Sequence, residues 1–110
     1  MASAIQSVLN QTYKDYELIL LNDGSNDASL NIMNKFAQSD NRIKVINDGL
    51  NKGLVFRLNQ SVNLAKGEYY VRMDADDIMF PERLEKQIEA MCSDDDIALV
   101  HSAAVSINAE

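Results

Sequence analysis

Four consecutive apolar residues, Leu18-Ile19-Leu20-Leu21, run straight into the polar cluster Asn22-Asp23-Gly24-Ser25-Asn26-Asp27. An uninterrupted apolar run lacks the in-out alternation of a strand with one wet face, so it suits a strand covered on both faces, as in a parallel sheet. The turn formers that follow end the strand. Ser25 or Asp27 is then placed to cap a helix carrying Leu30, Met33, Phe36 and Ala37. Strand, polar loop and helix in that order form a βα unit, and a parallel partner strand must be reached through such a crossover.

The remaining chain repeats this alternation. Residues 1–10 open on a helical pattern, with Ala4, Ile5, Val8 and Leu9 on one face, broken by Asn10-Gln11-Thr12. Ile43-Lys44-Val45-Ile46 reads as a second strand and residues 47–53 as turns. Leu54, Leu58, Val62 and Ala65 then mark a helical face, with Lys66 in the last turn and Gly67 as the residue that closes the helix. Residues 69–73 suit a third, buried strand ending at Asp74. Pro81 fits the first position of a last helix carrying Leu84, Ile88 and Met91, and Ile97-Ala98-Leu99-Val100 reads as a fourth strand. The expected architecture is α/β: a doubly wound, mostly parallel sheet with flanking helices, Rossmann-like, residues 1–110 making a single partial domain. Because the opening helix has no strand to feed it and the end is equally abrupt, the domain reads as truncated at both ends.

With 46% apolar residues, 110 residues can bury a core. The net charge of −7 argues against nucleic acid or an anionic membrane surface as principal partner, since both need clustered Lys and Arg. An anionic substrate would need a metal ion as bridge. The single Cys92 excludes an internal disulfide, and no apolar run is long enough to span a bilayer. A cytoplasmic setting is expected, with room for attachment at the inner face of a membrane through parts outside this sequence.

Asp74, Asp76 and Asp77 place hard oxygen donors where a strand should end, a position at which open α/β sheets bind ligands. They suit Mn²⁺ or Mg²⁺, with phosphate oxygens and water completing the shell, and they equally suit a turn and capping cluster ahead of the Pro81 helix. A calcium loop is excluded, because Ile78 and Met79 stand where that loop needs a ligand and a glycine. Asp23-Gly24-Ser25 follows a buried strand too, so in a parallel sheet it shares an edge with Asp74; taken alone it is also an ordinary βα turn. Asn51-Lys52-Gly53 opens a helix whose N–H groups could meet phosphate, or is a plain turn. Arg57 and Arg72 could neutralise phosphate or form structural ion pairs. His101, the only histidine, ends the fourth expected strand and is more often a packed or surface residue than a catalyst.

The segments Ser7-Val8-Leu9-Asn10-Gln11-Thr12-Tyr13, Asn22-Asp23-Gly24-Ser25, Asn51-Lys52-Gly53-Leu54, Ala65-Lys66-Gly67-Glu68-Tyr69, Arg72-Met73-Asp74-Ala75-Asp76-Asp77 and Pro81-Glu82-Arg83-Leu84 together resemble the family 2 glycosyltransferases of the GT-A fold, in order and in spacing. The resemblance runs from about Ile5 to Val100. It implies the nucleotide-sugar-binding half of an inverting transferase that takes a nucleotide-diphosphate sugar donor and a saccharide or lipid-linked acceptor. By the same resemblance Asp23 looks like the acid that meets the base, with Gly24, Asn51 and Gly53 around the nucleotide. Asp74 would face the ribose and the metal shell, and Asp76 would be the main metal ligand. No residue is implied as the catalytic base, so the chain alone is expected to be inactive.

The chain also departs from the family pattern. Asn22 stands where a further Asp is common, and Arg57-Leu58-Asn59 where many members carry Ala-Arg-Asn. The strand that normally precedes the first helix is missing, which would leave a strand edge exposed to pairing and a route to a homo-oligomer. Two other readings stand beside this one. One is a non-catalytic α/β nucleotide-binding module. The other is a haloacid-dehalogenase-like phosphatase with Asp74 as nucleophile, which Asp77-Ile78 fits poorly.

Overall fold

The computed structural model describes residues 1–107. Its elements are α1 (Ala2–Leu9), β1 (Leu18–Leu21), α2 (Ser29–Ser39), β2 (Ile43–Ile46), α3 (Leu54–Leu64) and α4 (Arg83–Cys92). The apolar run that begins the βα unit is a strand. β1 pairs with β2 in parallel, Leu18 opposite Ile43 through Leu21 opposite Ile46, with α2 as the crossover. At the upper end the Asn22 N–H donates to the Ile46 carbonyl (3.0 Å), and at the lower end the Leu18 N–H donates to that of Arg42 (2.9 Å). Arg42 also stacks 4.5 Å over the Tyr16 ring and is ion-paired with Asp40 (2.6 Å), so the start of both strands is pinned by side chains.

α1 buries Ala4, Ile5 and Val8 as its spacing requires, α2 buries Met33, and β2 buries Ile43. Val8 meets Met79 and Leu84 in a second patch of core, against which Tyr13, Tyr16, Leu18 and Met73 pack. That patch is fastened by polar groups. Gln11, fully buried, donates to the carbonyls of Phe80 (2.7 Å) and Ser7 (3.2 Å) and accepts the Leu84 N–H (3.0 Å). Ser7 Oγ accepts the Met79 N–H (3.0 Å), and the Thr12 N–H donates to the Pro81 carbonyl (2.9 Å). The break after α1 therefore supplies a side-chain partner for one of the N–H groups that the first turn of α4 leaves open.

Three expectations from the sequence are corrected. First, residues 69–73 and 97–100 join no ladder; among the described residues the sheet has two strands. Strand formation depends on a neighbour as much as on propensity. Residues 69–73 line one side of a cavity whose other side is the unpaired edge of β1, so no backbone lies within pairing distance. They are held instead by the Ser61–Tyr70 hydroxyl contact (2.7 Å) and by Glu17, whose carboxylate accepts the Lys66 N–H. Further on, Leu99, Val105 and Ile107 are exposed. Second, α3 ends at Leu64, and Ala65 is already extended (φ −66°, ψ 139°), so Gly67 does not close it. Third, the inner face of α3 is not the purely apolar one expected: Leu54, Leu58 and Ala65 do border the cavity beside β1, but Val62 is exposed and the buried residues are Arg57 and Ser61 on the same side. Pro81 likewise precedes α4, which begins at Arg83, and its carbonyl accepts from Thr12.

Replacing Gln11 by Ala leaves the Leu84 N–H buried without its partner, a loss of about 1–3 kcal/mol for an unsatisfied polar group. Gln11→Ala is expected to lower the urea midpoint accordingly with little change in the slope; an unchanged midpoint would show that water replaces the amide.

Candidate functional site

Arg57 decides how α3 sits. Its side chain is 2% exposed, and all five guanidinium N–H groups have acceptors. Nε donates to Asp23 Oδ1 (3.0 Å), Nη1 to Asp48 Oδ2 (3.2 Å) and Gln60 Oε1 (3.0 Å), and Nη2 to Asp48 Oδ1 (2.6 Å) and the Leu50 carbonyl (2.6 Å). A planar fork that meets a carboxylate with two N–H groups fixes direction as well as charge. Hence one residue joins the loop after β1, the loop after β2 and α3, and it does so from the side of α3 that Leu54, Leu58 and Ser61 also present to the cavity. With every donor engaged, Arg57 has none left for a phosphate; of the two roles open to it in the sequence, it takes the structural ion pair.

Asp23 is the second member of this latch. Its carboxylate accepts the backbone N–H groups of Lys52 (2.7 Å, Oδ1) and Gly53 (3.0 Å, Oδ2) as well as Arg57 Nε. Lys52 and Gly53 lie at the start of α3, where N–H groups lack intrahelical partners and a negative charge is favoured. The Lys52 amide above all, and then Arg57 and the Gly53 amide, hold the Asp23 carboxyl below its ordinary pKa. Asp48, facing Arg57 first and Lys52 next, is held far below the usual carboxylate range. Lys52 itself pairs with Asp48 (2.7 Å) and lies 4.8 Å over the Phe56 ring.

Gly24 is required by what surrounds it. Its φ is +72°, and a Cβ there would stand 3.0 Å from the Asn51 backbone nitrogen. Thus the two loops that the sequence places on one sheet edge do touch. Beneath them Asn22, buried, donates to Asn47 Oδ1 (2.8 Å) and accepts the Ser25 N–H (3.2 Å), tying the upper ends of β1 and β2. Asn22 contributes a donor here that a carboxylate at the same position would lack.

Asp74 ends no strand, since residues 69–73 join no ladder. A turn follows, with the Asp77 N–H donating to the Asp74 carbonyl (3.2 Å). Arg72 Nη2 lies 3.1 Å from Asp74 Oδ1, both side chains being about half exposed, so the pair is screened and weak. Asp23 and Asp74 both border the cavity of about 860 Å³ beside β1. Its walls include Ile5, Val8, Leu20, Leu58 and Met79, and Asp23 and Asp74 are among the polar residues that border it. Asn51, Gly53, Asp76 and Asp77 do not line it, and Asp76 and Asp77 are exposed. His101 is exposed at the far end of the chain.

No three His, Cys, Asp or Glu side chains among the described residues gather closely enough to hold a metal ion by themselves. The exposed oxygens of Asp74 and Asp76 fit an ion that brings most of its shell with it, since Mg²⁺ is commonly held by one or two carboxylates plus substrate phosphates and water. The sequence did not single out Asp48, Gln60 or Asn47. Asp48 carried a signal only as one of several turn formers, and its partner nine residues later is legible only once β2 and α3 are placed.

The fold and the two loops define an α/β domain with its polar groups gathered at the carboxyl end of a parallel strand pair. Residues 1–109 match the glycosyl transferase family 2 profile, and the chain belongs to that family. It is 45% identical over 89 residues to EpsE of Bacillus subtilis (strain 168), a protein named as a glycosyltransferase, covering 80% of this chain and 32% of EpsE. An uncharacterized glycosyltransferase of Haemophilus influenzae is 38% identical over 99 residues, 90% of this chain and 31% of that protein. The chondroitin synthase of Pasteurella multocida is 32% identical over 104 residues, 94% of this chain and 11% of the synthase. The chain thus spans about a third of the length of the first two of these relatives.

Gly24→Ala forces a side chain into the left-handed region and against Asn51, a strain of about 1–3 kcal/mol. The expected result is a lower denaturation midpoint together with shifted Asn51 and Lys52 amide resonances; a wild-type midpoint with unshifted resonances would show that the two loops are not in contact.

Proposed function

We propose that this chain is the donor-binding part of a metal-dependent, inverting glycosyltransferase. Membership of the family supports sugar transfer as the activity and disfavours the phosphatase reading. The observation that carries the finer proposal is that Asp23 and Asp74, from separate segments, border one cavity beside β1. A nucleotide-diphosphate sugar would lie across that end, with its base toward Asp23, Gly24 and the Asn51–Gly53 loop and its ribose toward Asp74. Asp74 and Asp76 would hold Mn²⁺ or Mg²⁺. When bound, such an ion neutralises charge on the diphosphate as the sugar leaves. The acceptor oxygen forms the new bond to the anomeric carbon while the bond from that carbon to the phosphate oxygen breaks. The hydroxyl proton goes to a general base that no residue of this chain supplies. A saccharide acceptor is in keeping with the synthases among the relatives. No helix among the described residues is long and apolar enough to cross a membrane.

Isothermal titration of the chain with UDP and with GDP, each with MnCl₂ and again with EDTA, tests the proposal. Binding of one nucleotide is expected with metal, weakened at least tenfold by EDTA and by Asp76→Ala. Equal affinities with and without metal, or for wild type and Asp76→Ala, would remove the assigned metal site.

A further inference from the structure

Of the two carboxylates around the start of α3, Asp48 has its four acceptor positions taken, by Arg57 twice, by Lys52 and by the Leu50 N–H, while Asp23 keeps one. A carboxylate presents about four acceptor positions. Asp23 Oδ1 takes two N–H groups, from Lys52 and Arg57, and Oδ2 takes only the Gly53 N–H. One position on Oδ2 is left, on a side chain that is 30% exposed and borders the cavity.

We infer that Arg57 is a positioning residue for nucleotide recognition: its Nε–H fixes the Asp23 carboxylate so that a single acceptor position of Oδ2 is left for a ligand N–H. The inference rests on the reading of Asp23 as the residue that meets the base. Arg57 is anchored independently of Asp23, since its other four N–H groups go to Asp48, Gln60 and Leu50. The Nε–Asp23 bond is therefore made by a guanidinium already fixed in place. Among the described residues it is also the only side-chain cation on Asp23, because the Lys52 ammonium turns to Asp48. Without Arg57 two carboxylates would share one ammonium, next to the place where the base of an anionic nucleotide arrives. A lysine at this position could supply the charge but not the fork.

A double-mutant cycle in nucleotide affinity separates positioning from mere support of the fold. UDP and GDP, whose bases both carry a ring N–H, serve as probes with MnCl₂, and the tighter one is carried through. Asp23→Asn and Arg57→Gln are each expected to weaken binding at least tenfold, and the double variant to be no weaker than the weaker single one. Asp48→Asn, which loosens the anchor but keeps the Nε bond, is expected to lower Tm while changing affinity less than threefold. In Arg57→Gln the affinity should also fall off at higher pH on acidification, because Asp23 is then held ionised only by the Lys52 and Gly53 amides. If Arg57→Gln does not fold, Arg57→Lys carries the same comparison, with an intermediate loss expected. Wild-type affinity in a folded Arg57 variant that sits beside a weakened Asp23→Asn overturns the inference alone, as do losses that multiply in the double variant. Wild-type affinity in Asp23→Asn overturns both the inference and the base contact on which it rests.

Discussion

The Asp23 carboxylate is the group on which the upper half of the molecule depends. It stands two residues past β1, yet its partners are the first amides of α3 and the guanidinium of Arg57, so the end of one strand and the start of a helix some 30 residues away share one anion. Arg57 extends the same link to Asp48 and Leu50 beyond β2. Because the arginine is buried and saturated, any other rotation of α3 would leave N–H groups without acceptors in a region poor in water. The helix accordingly keeps Arg57 and Ser61 inside, beside the cavity that Leu54 and Leu58 also border, and leaves Val62 exposed.

A second polar tie works at the other side. Ser7, Gln11 and Thr12 leave α1 and meet residues 79–85, closing Val8, Met79 and Leu84 into a small core. Each tie joins segments far apart in sequence, and between them runs the unpaired edge of β1 with its apolar cavity. The parallel pair β1–β2 is short, at four residues a strand, so these side-chain ties supply orientation that a wider sheet would otherwise provide. Functionally this puts the polar groups of the candidate site on a braced edge: Asp23 and Gly24 are held against the Asn51 loop, while Asp74 to Asp77 stay exposed and adaptable.

Much of this was legible from local pattern. The apolar run at Leu18, the periodicity of α1 and α2, and the turn at Asp74 follow from propensity and turn chemistry, which are properties of neighbours in sequence. Gly24 was readable as a turn former, though the approach of Asn51 that also demands it was not. The misses share one cause, which is dependence on distant partners. Residues 69–73 have strand composition but no backbone alongside, and Arg57 was not placed on the inner face of α3 because Asp23 and Asp48, which hold it there, lie in other loops. Gln11 looked like a helix breaker, while its amide is a buried bracket to α4.

The account turns on one carboxylate organising the start of α3, and amide hydrogen exchange reads that directly. In the wild-type chain the Lys52 and Gly53 amides are expected to be protected, and Asp23→Ala to speed their exchange at least tenfold while the Leu18 and Asn22 amides of the strand pair stay slow. Lys52 and Gly53 amides that exchange at the same rate in wild type and in Asp23→Ala would contradict it.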